Sequence, residues 1–277
     1  MKLSLIIAII SYASGVVGHT LRGSQQNNED EDITLYSSLW HDTPPHPVEY
    51  PGEDNIINFA VEIPLHIRAK MEMQKTLPGN PIQQDHFDDG SLRFYSYGNP
   101  FFNYGYIPQT WEDPELLDEL GNGGDNDPLD VMEVGSQQLT MGSVVPSRVL
   151  GALTLIDEGQ MDNKIIVLAL SDPDADRIYN LDDLEAIKPG MVDDLVDWLK
   201  MYKTTDGAPE NALVSDEMSS VREAVDIINM TNDAWVKMCT TGDDHDQGFW
   251  LAAAGCQGTN PPPNPQEQDE VIGLDTM

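Results

Sequence analysis

The sequence predicts a mainly β domain, a small antiparallel barrel or curled sheet, with helices flanking it. Three observations predict this class. Short strand-like apolar runs broken by Pro and Gly fill residues 59–170, and helical spacing begins only beyond residue 190. Hydrophobic residues make up 40% of the 277 positions, enough to fill a sizeable core in one large domain or two small ones. No internal repeat is visible.

Residues 1–18 begin with one cation at Lys2, continue as an apolar run and end in small residues, the layout of a secretory signal peptide cut after Gly15 or Gly18. A membrane anchor is the other reading, but the run falls short of the ~20 apolar residues that a span needs, and Ser11, Ser14 and Gly15 interrupt it. Residues 19–32 form a polar leader, and the domain is placed at 33–254. Residues 255–277, with Pro261, Pro262, Pro263 and Pro265 followed by Glu267, Asp269 and Glu270, are expected to form a disordered tail.

Within the domain the candidate strands are 59–63, 70–74, 92–95, 129–134, 149–156 and 165–170. Met191, Leu195, Trp198, Leu199 and Tyr202 fall on one helical face after Pro189-Gly190. Val221, Val225, Ile228, Trp235 and Cys239 mark a second helix, with Ser220 and Glu223 spaced for a capping box. The two cysteines, Cys239 and Cys256, form either one disulfide or two free thiols; neither has a His or Cys neighbour at zinc spacing. Asn229-Met230-Thr231 is a glycosylation sequon, relevant only to a chain that enters the secretory route.

Lys and Arg number 14 against 48 Asp and Glu, a formal net charge of −34. Such a field repels nucleic acid and anionic membrane surfaces, which excludes both as partners. It also makes the position of each scarce cation informative.

Asp125, Asp127 and Asp130 crowd into six residues between a Gly-rich turn and an apolar strand. Three anions so close repel one another unless a hard cation lies among them, and oxygen donors suit Mg²⁺, Mn²⁺ or Ca²⁺. A solvated acidic turn is the bland alternative. An EF-hand loop fails, because Leu129 and Asp130 stand where an oxygen ligand and a glycine belong. A second acidic turn, 157–164, carries Asp157, Asp162 and Lys164; alone it reads as a hairpin loop, but beside the first turn it adds two ligands and a cation. Alternation over 70–74 puts Lys70, Glu72 and Gln74 on one face, opposite Met71 and Met73. That face is either solvent or the lining of a polar cavity.

Taken together, these blocks resemble the soluble family I inorganic pyrophosphatases of eukaryotic type. The resemblance covers roughly residues 59–235. It rests on Val61-Glu62-Ile63-Pro64 with Ala69-Lys70-Met71-Glu72, Leu92-Arg93-Phe94, Asn103-Tyr104-Gly105, and Pro108 through Pro114 with its Trp111-Glu112-Asp113 core. Gly124-Asp125-Asn126-Asp127-Pro128-Leu129-Asp130-Val131 is the family signature; Asp157-Glu158-Gly159, Asp162, Lys164, Tyr202-Lys203, Asp206-Gly207 and Pro209-Glu210-Asn211 follow in family order.

The resemblance implies a five-stranded OB-type β-barrel with helices packed outside, which hydrolyses pyrophosphate, supplied as its magnesium complex, to two phosphates. It implies that Glu72, Asp125, Asp127, Asp130, Asp157 and Asp162 hold several Mg²⁺ ions, for which Mn²⁺ can substitute, with Glu62 nearby. Lys70, Arg93, Tyr104, Lys164, Tyr202 and Lys203 would hold phosphate oxygens, and Asp127 would be the general base on a water activated by the metals. A homodimer is the family habit. One position departs: where the family has a tyrosine ahead of Asn103, this chain has Pro100, in a shortened segment. The signal peptide sends the product to the secretory pathway, secreted or retained in an organelle lumen. The competing function is a secreted acidic protein that binds divalent cations or phosphate without turnover; retention of Asp127 and Lys164 favours the enzyme.

Overall fold

A computed structural model describes residues 36–118, 120–157, 159–215, 217–253 and 255–256. The expected signal peptide, the leader and the tail beyond Cys256 lie outside them. The strands are β1 (Ile56–Ile63), β2 (Met71–Met73), β3 (Ile82–Gln84), β4 (Asn103–Tyr106), β5 (Asp130–Glu133), β6 (Val144–Asp157), β7 (Gln160–Ala169) and β8 (Ala212–Leu213). The helices are α1 (Leu39–Asp42), α2 (Leu181–Ile187), α3 (Met191–Met201) and α4 (Val221–Thr241).

Pairings run β1-β4-β5-β7-β6 and return from β6 to β1, so five strands close on themselves as a barrel, with β8 added at the edge of β6. Closure removes the exposed strand edges that an open sheet would present. One detail departs from an all-antiparallel expectation: β5 and β7 are parallel, with Asp130 opposite Lys164. The predicted strand at 92–95 is absent as a strand. Leu92 and Phe94 make only isolated bridges, to His86 and Ala69, and both are exposed. The fifth barrel strand is β4, which the sequence reading passed over. The expected strand at 70–74 is reduced to β2, which pairs with β3 outside the barrel.

β7 shows why its sequence reads as one apolar run. Ile165 and Val167 pack with Phe59, Val61 and Ile228 of α4, whereas Ile166 and Leu168 pack with Phe102, Met132 and Trp198 of α3. Alternate side chains face opposite sides of a strand, and here a core covers both sides. Burying each such side chain contributes about 1.5–3 kcal/mol relative to exposure.

Both long helices follow their predicted faces. α3 buries Leu195, Trp198 and Leu199, one stripe at helical spacing. α4 starts with the predicted capping box, in which Ser220 Oγ accepts from the Glu223 N–H while the Glu223 carboxylate accepts from the Ser220 N–H. The cysteines pair: Cys239 near the end of α4 is joined to Cys256, with Cα atoms 4.8 Å apart. Cys256 is buried, so the packed region reaches two residues past the boundary drawn from composition.

Candidate active site

Four strands, β1, β2, β5 and β7, and the segments that carry Lys70, Arg93, Asp125 with Asp127, and Lys203 deliver acids and cations to one cavity of about 160 Å³. The turn before β5 begins where Glu112 and Gly124 cross. A Cβ at Gly124 would lie 2.4 Å from the Glu112 carbonyl oxygen, so only glycine permits that crossing. Asn126 then adopts a left-handed conformation (φ 72°), which its Oδ1 steadies by accepting from Trp111 Nε1 at 3.0 Å. Glu112 clamps the same turn through its backbone: its N–H donates to Asp127 O (2.8 Å), and its carbonyl accepts from the Asn126 N–H (3.0 Å). Asp125 and Asp127, on either side of Asn126, both line the cavity.

β5 and β7 supply the next layer. The parallel register sets Asp130 against Lys164, and Asp162, two residues earlier on β7, shares the Lys164 face. Lys164 Nζ forms ion pairs with both carboxylates and donates to the Tyr104 hydroxyl at 3.0 Å. Tyr104, on β4, donates in turn to Asp130 Oδ2 at 2.5 Å. Glu62, on β1, accepts from the Met73 N–H at 2.7 Å.

At the rim, Lys70 Nζ reaches Glu72 at 3.1 Å and Asp85 at 2.9 Å, and Asp85 also accepts from Arg93 Nη1 at 2.7 Å. Lys70 and Glu72 lie side by side as the alternation predicts, but Gln74 does not join them at the cavity, and Met71 and Met73 line it as well. Tyr202 and Lys203 arrive from the end of α3, where Trp198 stacks on Tyr202 with ring centroids 4.8 Å apart. The apolar stripe of the helix thus also aims its final residues at the site.

Burial and mutual repulsion set the electrostatics. Burial, reinforced by Asp162, Asp127 and Asp130, holds the Asp125 carboxyl well above its ordinary range. Burial also pushes Asp130 up to about 6 against the pull of Lys164. Glu62 is raised by burial and by Asp130 and Glu72; Glu72 is raised by burial although Lys70 opposes it. Burial would discharge Lys164, but Asp130 and Asp162 outweigh it and hold its ammonium well above the ordinary lysine value. Acids in this state favour protons or cations.

The donor set fits hard divalent ions. Oxygens of Glu112, Asp125 and Asp162 lie within 4.8 Å of one another. Glu112 is buried, its Oε1 accepts from Asn163 Nδ2 at 2.6 Å, and its Oε2 has no hydrogen-bond partner among the described residues. A buried carboxylate oxygen left without a donor is costly, and a cation among all-oxygen ligands removes that cost.

The structure brings together Lys70, Glu72, Arg93, Tyr104, Asp125, Asp127, Asp130, Asp162, Lys164, Tyr202 and Lys203, along with Glu62. Asp157 closes β6, but its side chain lies outside the described residues. Asp162 and Lys164 belong to β7, which begins at Gln160, rather than to the acidic turn. Pro100 does not line the cavity; its carbonyl accepts from the His66 N–H at 2.9 Å.

Sequence reasoning missed Lys75, whose ammonium pairs with Asp127 and donates to Asn126 O at 2.8 Å. It missed Asp85, which bridges Lys70 and Arg93, and it gave no role to Glu112. The signal for Lys75 was its scarcity as a cation close to Lys70. Its parity with Met71 and Met73 hid it, because β2 ends at Met73 and the alternation stops there.

Carboxylates poised for divalent cations, with ammonium and guanidinium groups turned to the same space, perform the chemistry of enzymes that hydrolyse phosphate bonds. Fold and site together place the chain in that class. A family model described as inorganic pyrophosphatase matches residues 59–236. The mitochondrial inorganic pyrophosphatase 2 of Mus musculus is 40% identical over 72% of this chain, which spans 62% of that relative's length. The inorganic pyrophosphatase of the same species is 40% identical over 76% of this chain and 72% of its own. The solved inorganic pyrophosphatase of Schistosoma japonicum superposes with a TM-score of 0.72 at 37% identity, covering 78% of this chain and 77% of its own. The chain belongs to the inorganic pyrophosphatase family: it is a hydrolase that splits pyrophosphate into two phosphates, in a family that depends on divalent metal. No described helix is long and apolar enough to cross a membrane.

Proposed function

We propose that this chain hydrolyses the magnesium complex of pyrophosphate inside the secretory pathway, with Asp127 as general base. One observation carries the reading of the site: six carboxylates, Glu62, Glu72, Asp125, Asp127, Asp130 and Asp162, converge on the cavity that Lys70, Arg93, Lys164 and Lys203 also line. In a chain of net charge −34, four of its 14 cations meeting there is a concentration that solubility does not explain.

The barrier to hydrolysis is mainly electrostatic, because water attacks a compact polyanion. Asp125, Asp130 and Asp162 would hold Mg²⁺ at the inner wall, with Glu72 and Asp157 completing the set. Magnesium, when bound, lowers the pKa of water and neutralises phosphate charge. Asp127 takes the proton of the attacking water. Lys164 and Tyr104 orient the electrophilic phosphate, and Lys70, Arg93, Tyr202 and Lys203 hold the leaving phosphate as its charge develops. Substrate arriving as a magnesium complex carries less negative charge into this acidic field, and salt screens what remains beyond the Debye length.

Phosphate release from pyrophosphate in Mg²⁺ tests the mechanism, with Asp127→Ala as the control. Wild type should turn over and the variant should lose activity by about 10²–10⁴-fold. Equal release by both would reject Asp127 as base, and magnesium binding without release would support the non-catalytic binder.

The secretory reading draws support from the Cys239–Cys256 disulfide, a bond that persists in oxidising compartments, and from the exposed position of Asn229 on α4. Sequencing the mature N-terminus tests it. A start at Val16 or His19 agrees, and a start at Met1 refutes it.

A further inference from the structure

We propose that the disulfide-anchored segment after α4 is a positioning element for Asp127, acting through Lys75 and Asn126, so that reducing Cys239–Cys256 lowers turnover. The proposal rests on the reading of Asp127 as base. Residues 242–253 follow α4, and Cys256 returns to Cys239, 17 positions earlier. This segment touches the turn's supports at three points. The Trp250 N–H donates to the Lys75 carbonyl at 2.8 Å. The Phe249 ring centroid stands 5.6 Å from Lys75 Nζ. Gln247 Oε1 accepts from Asn126 Nδ2 at 3.1 Å.

Lys75 and Asn126 then bear directly on the base. The Lys75 ammonium pairs with the Asp127 carboxylate and donates to the Asn126 carbonyl at 2.8 Å, tying both residues of the turn to one cation. Asn80 Nδ2 shares the Lys75 carbonyl at 2.9 Å, so the lysine backbone is fixed from two sides. Asn126 sits in the left-handed region (φ 72°), which asparagine tolerates better than other non-glycine residues, and two side chains fix it there. Trp111 Nε1 holds it from inside the fold and Gln247 from the segment after α4.

Phe249, Trp250, Leu251, Ala253 and Cys256 are buried, so the segment packs as part of the body, and the disulfide is its covalent end-stop. A dithiol would reduce the S–S bond to two thiols and itself become a disulfide, with no other co-reactant. The open segment would then relax its hold on Lys75, and misplacement of a catalytic group by about 1 Å can cost as much as 10²-fold in rate. Lys75 is a positioning residue here, since it acts on Asp127 and not on the substrate.

The experiment compares wild type, the double variant Cys239→Ser/Cys256→Ser, Lys75→Gln, and the triple combination. Turnover is measured on magnesium pyrophosphate, and amide hydrogen exchange is measured without metal. The expected result is about a tenfold fall in kcat with little change in KM for the serine pair. A similar fall is expected for Lys75→Gln, with no further loss when the two are combined, and with faster exchange confined to residues 74–76, 125–127 and the segment itself. Lys75→Arg should recover part of kcat. Independent, additive losses, or unchanged exchange at 125–127 in the serine pair, would overturn the proposal. Should the serine pair fail to fold, reversible reduction of wild type and Phe249→Ala with the disulfide intact replace it, with the same two readouts. Absence of phosphate release from oxidised wild type would sink the enzymatic reading alone; the exchange pattern would still decide this one.

Discussion

Lys164→Met removes a charge but keeps most of the side-chain volume, at a position where the ammonium and Asp162 are buried and Asp130 is half-buried. Lys164 retains 4% of its side-chain exposure, Asp162 5% and Asp130 16%. Deleting one partner of a buried ion pair leaves charge uncompensated, which costs about 3–5 kcal/mol. The cost should depend on pH, because protonation is the escape route for a stranded carboxylate. Asp130 already titrates at about 6 with Lys164 beside it, and losing that cation raises it further. A carboxyl raised in the folded state gives stability that is fully present below its unfolded value of 3.8 and is lost as pH rises through the folded value. The deficit of the variant should therefore be about 3–5 kcal/mol near pH 8 and should shrink towards pH 4, where Asp130 is protonated. Urea unfolding followed by tryptophan fluorescence, in a chelator, measures both values. A deficit below about 1 kcal/mol near pH 8, or the same deficit at both pH values, would refute the reasoning.

Two further outcomes follow from the same site. Metal-free wild type should lose stability as pH rises from about 4 to about 7, by up to ~3 kcal/mol from Asp130 alone, and added Mg²⁺ should flatten that slope; a slope unaffected by Mg²⁺ in chemical denaturation would contradict it. Gly124→Ala should push the turn off the Glu112 carbonyl, lowering thermal stability by about 1–3 kcal/mol and reducing phosphate release; full activity in the alanine variant would show that the crossing has slack.

The site was more legible in the sequence than the sheet that carries it. Asp125, Asp127 and Asp130 stand close along the chain, and their mutual repulsion pointed to a cation against the plainer alternative of a solvated acidic turn. Lys70 and Glu72 could be paired from strand parity alone. The barrel order was harder. β4 is only four residues long, and Tyr104-Gly105-Tyr106 does not read as a strand core, yet its glycine is what lets β1 approach: a Cβ there would lie 2.0 Å from the Ala60 carbonyl oxygen. Leu92 and Phe94 mimic a strand because alternate positions are apolar, although both side chains remain exposed. Nothing in a period of two says whether neighbouring strands run the same way, so the parallel β5–β7 pair that joins Asp130 to Lys164 could not be read. Lys75 and Glu112 escaped for a related reason, since each reaches the site through a turn whose path no local pattern fixes.

The central claim is that these acids gather several divalent ions in one cavity. Anomalous diffraction from a crystal soaked in Mn²⁺ tests it most directly. More than one manganese peak should appear within ligand distance of Asp125, Asp127, Asp130 and Asp162, with Lys164 moved away from at least one of its present partners. Manganese found only at surface carboxylates, with the Lys164 ion pairs intact, would contradict the account.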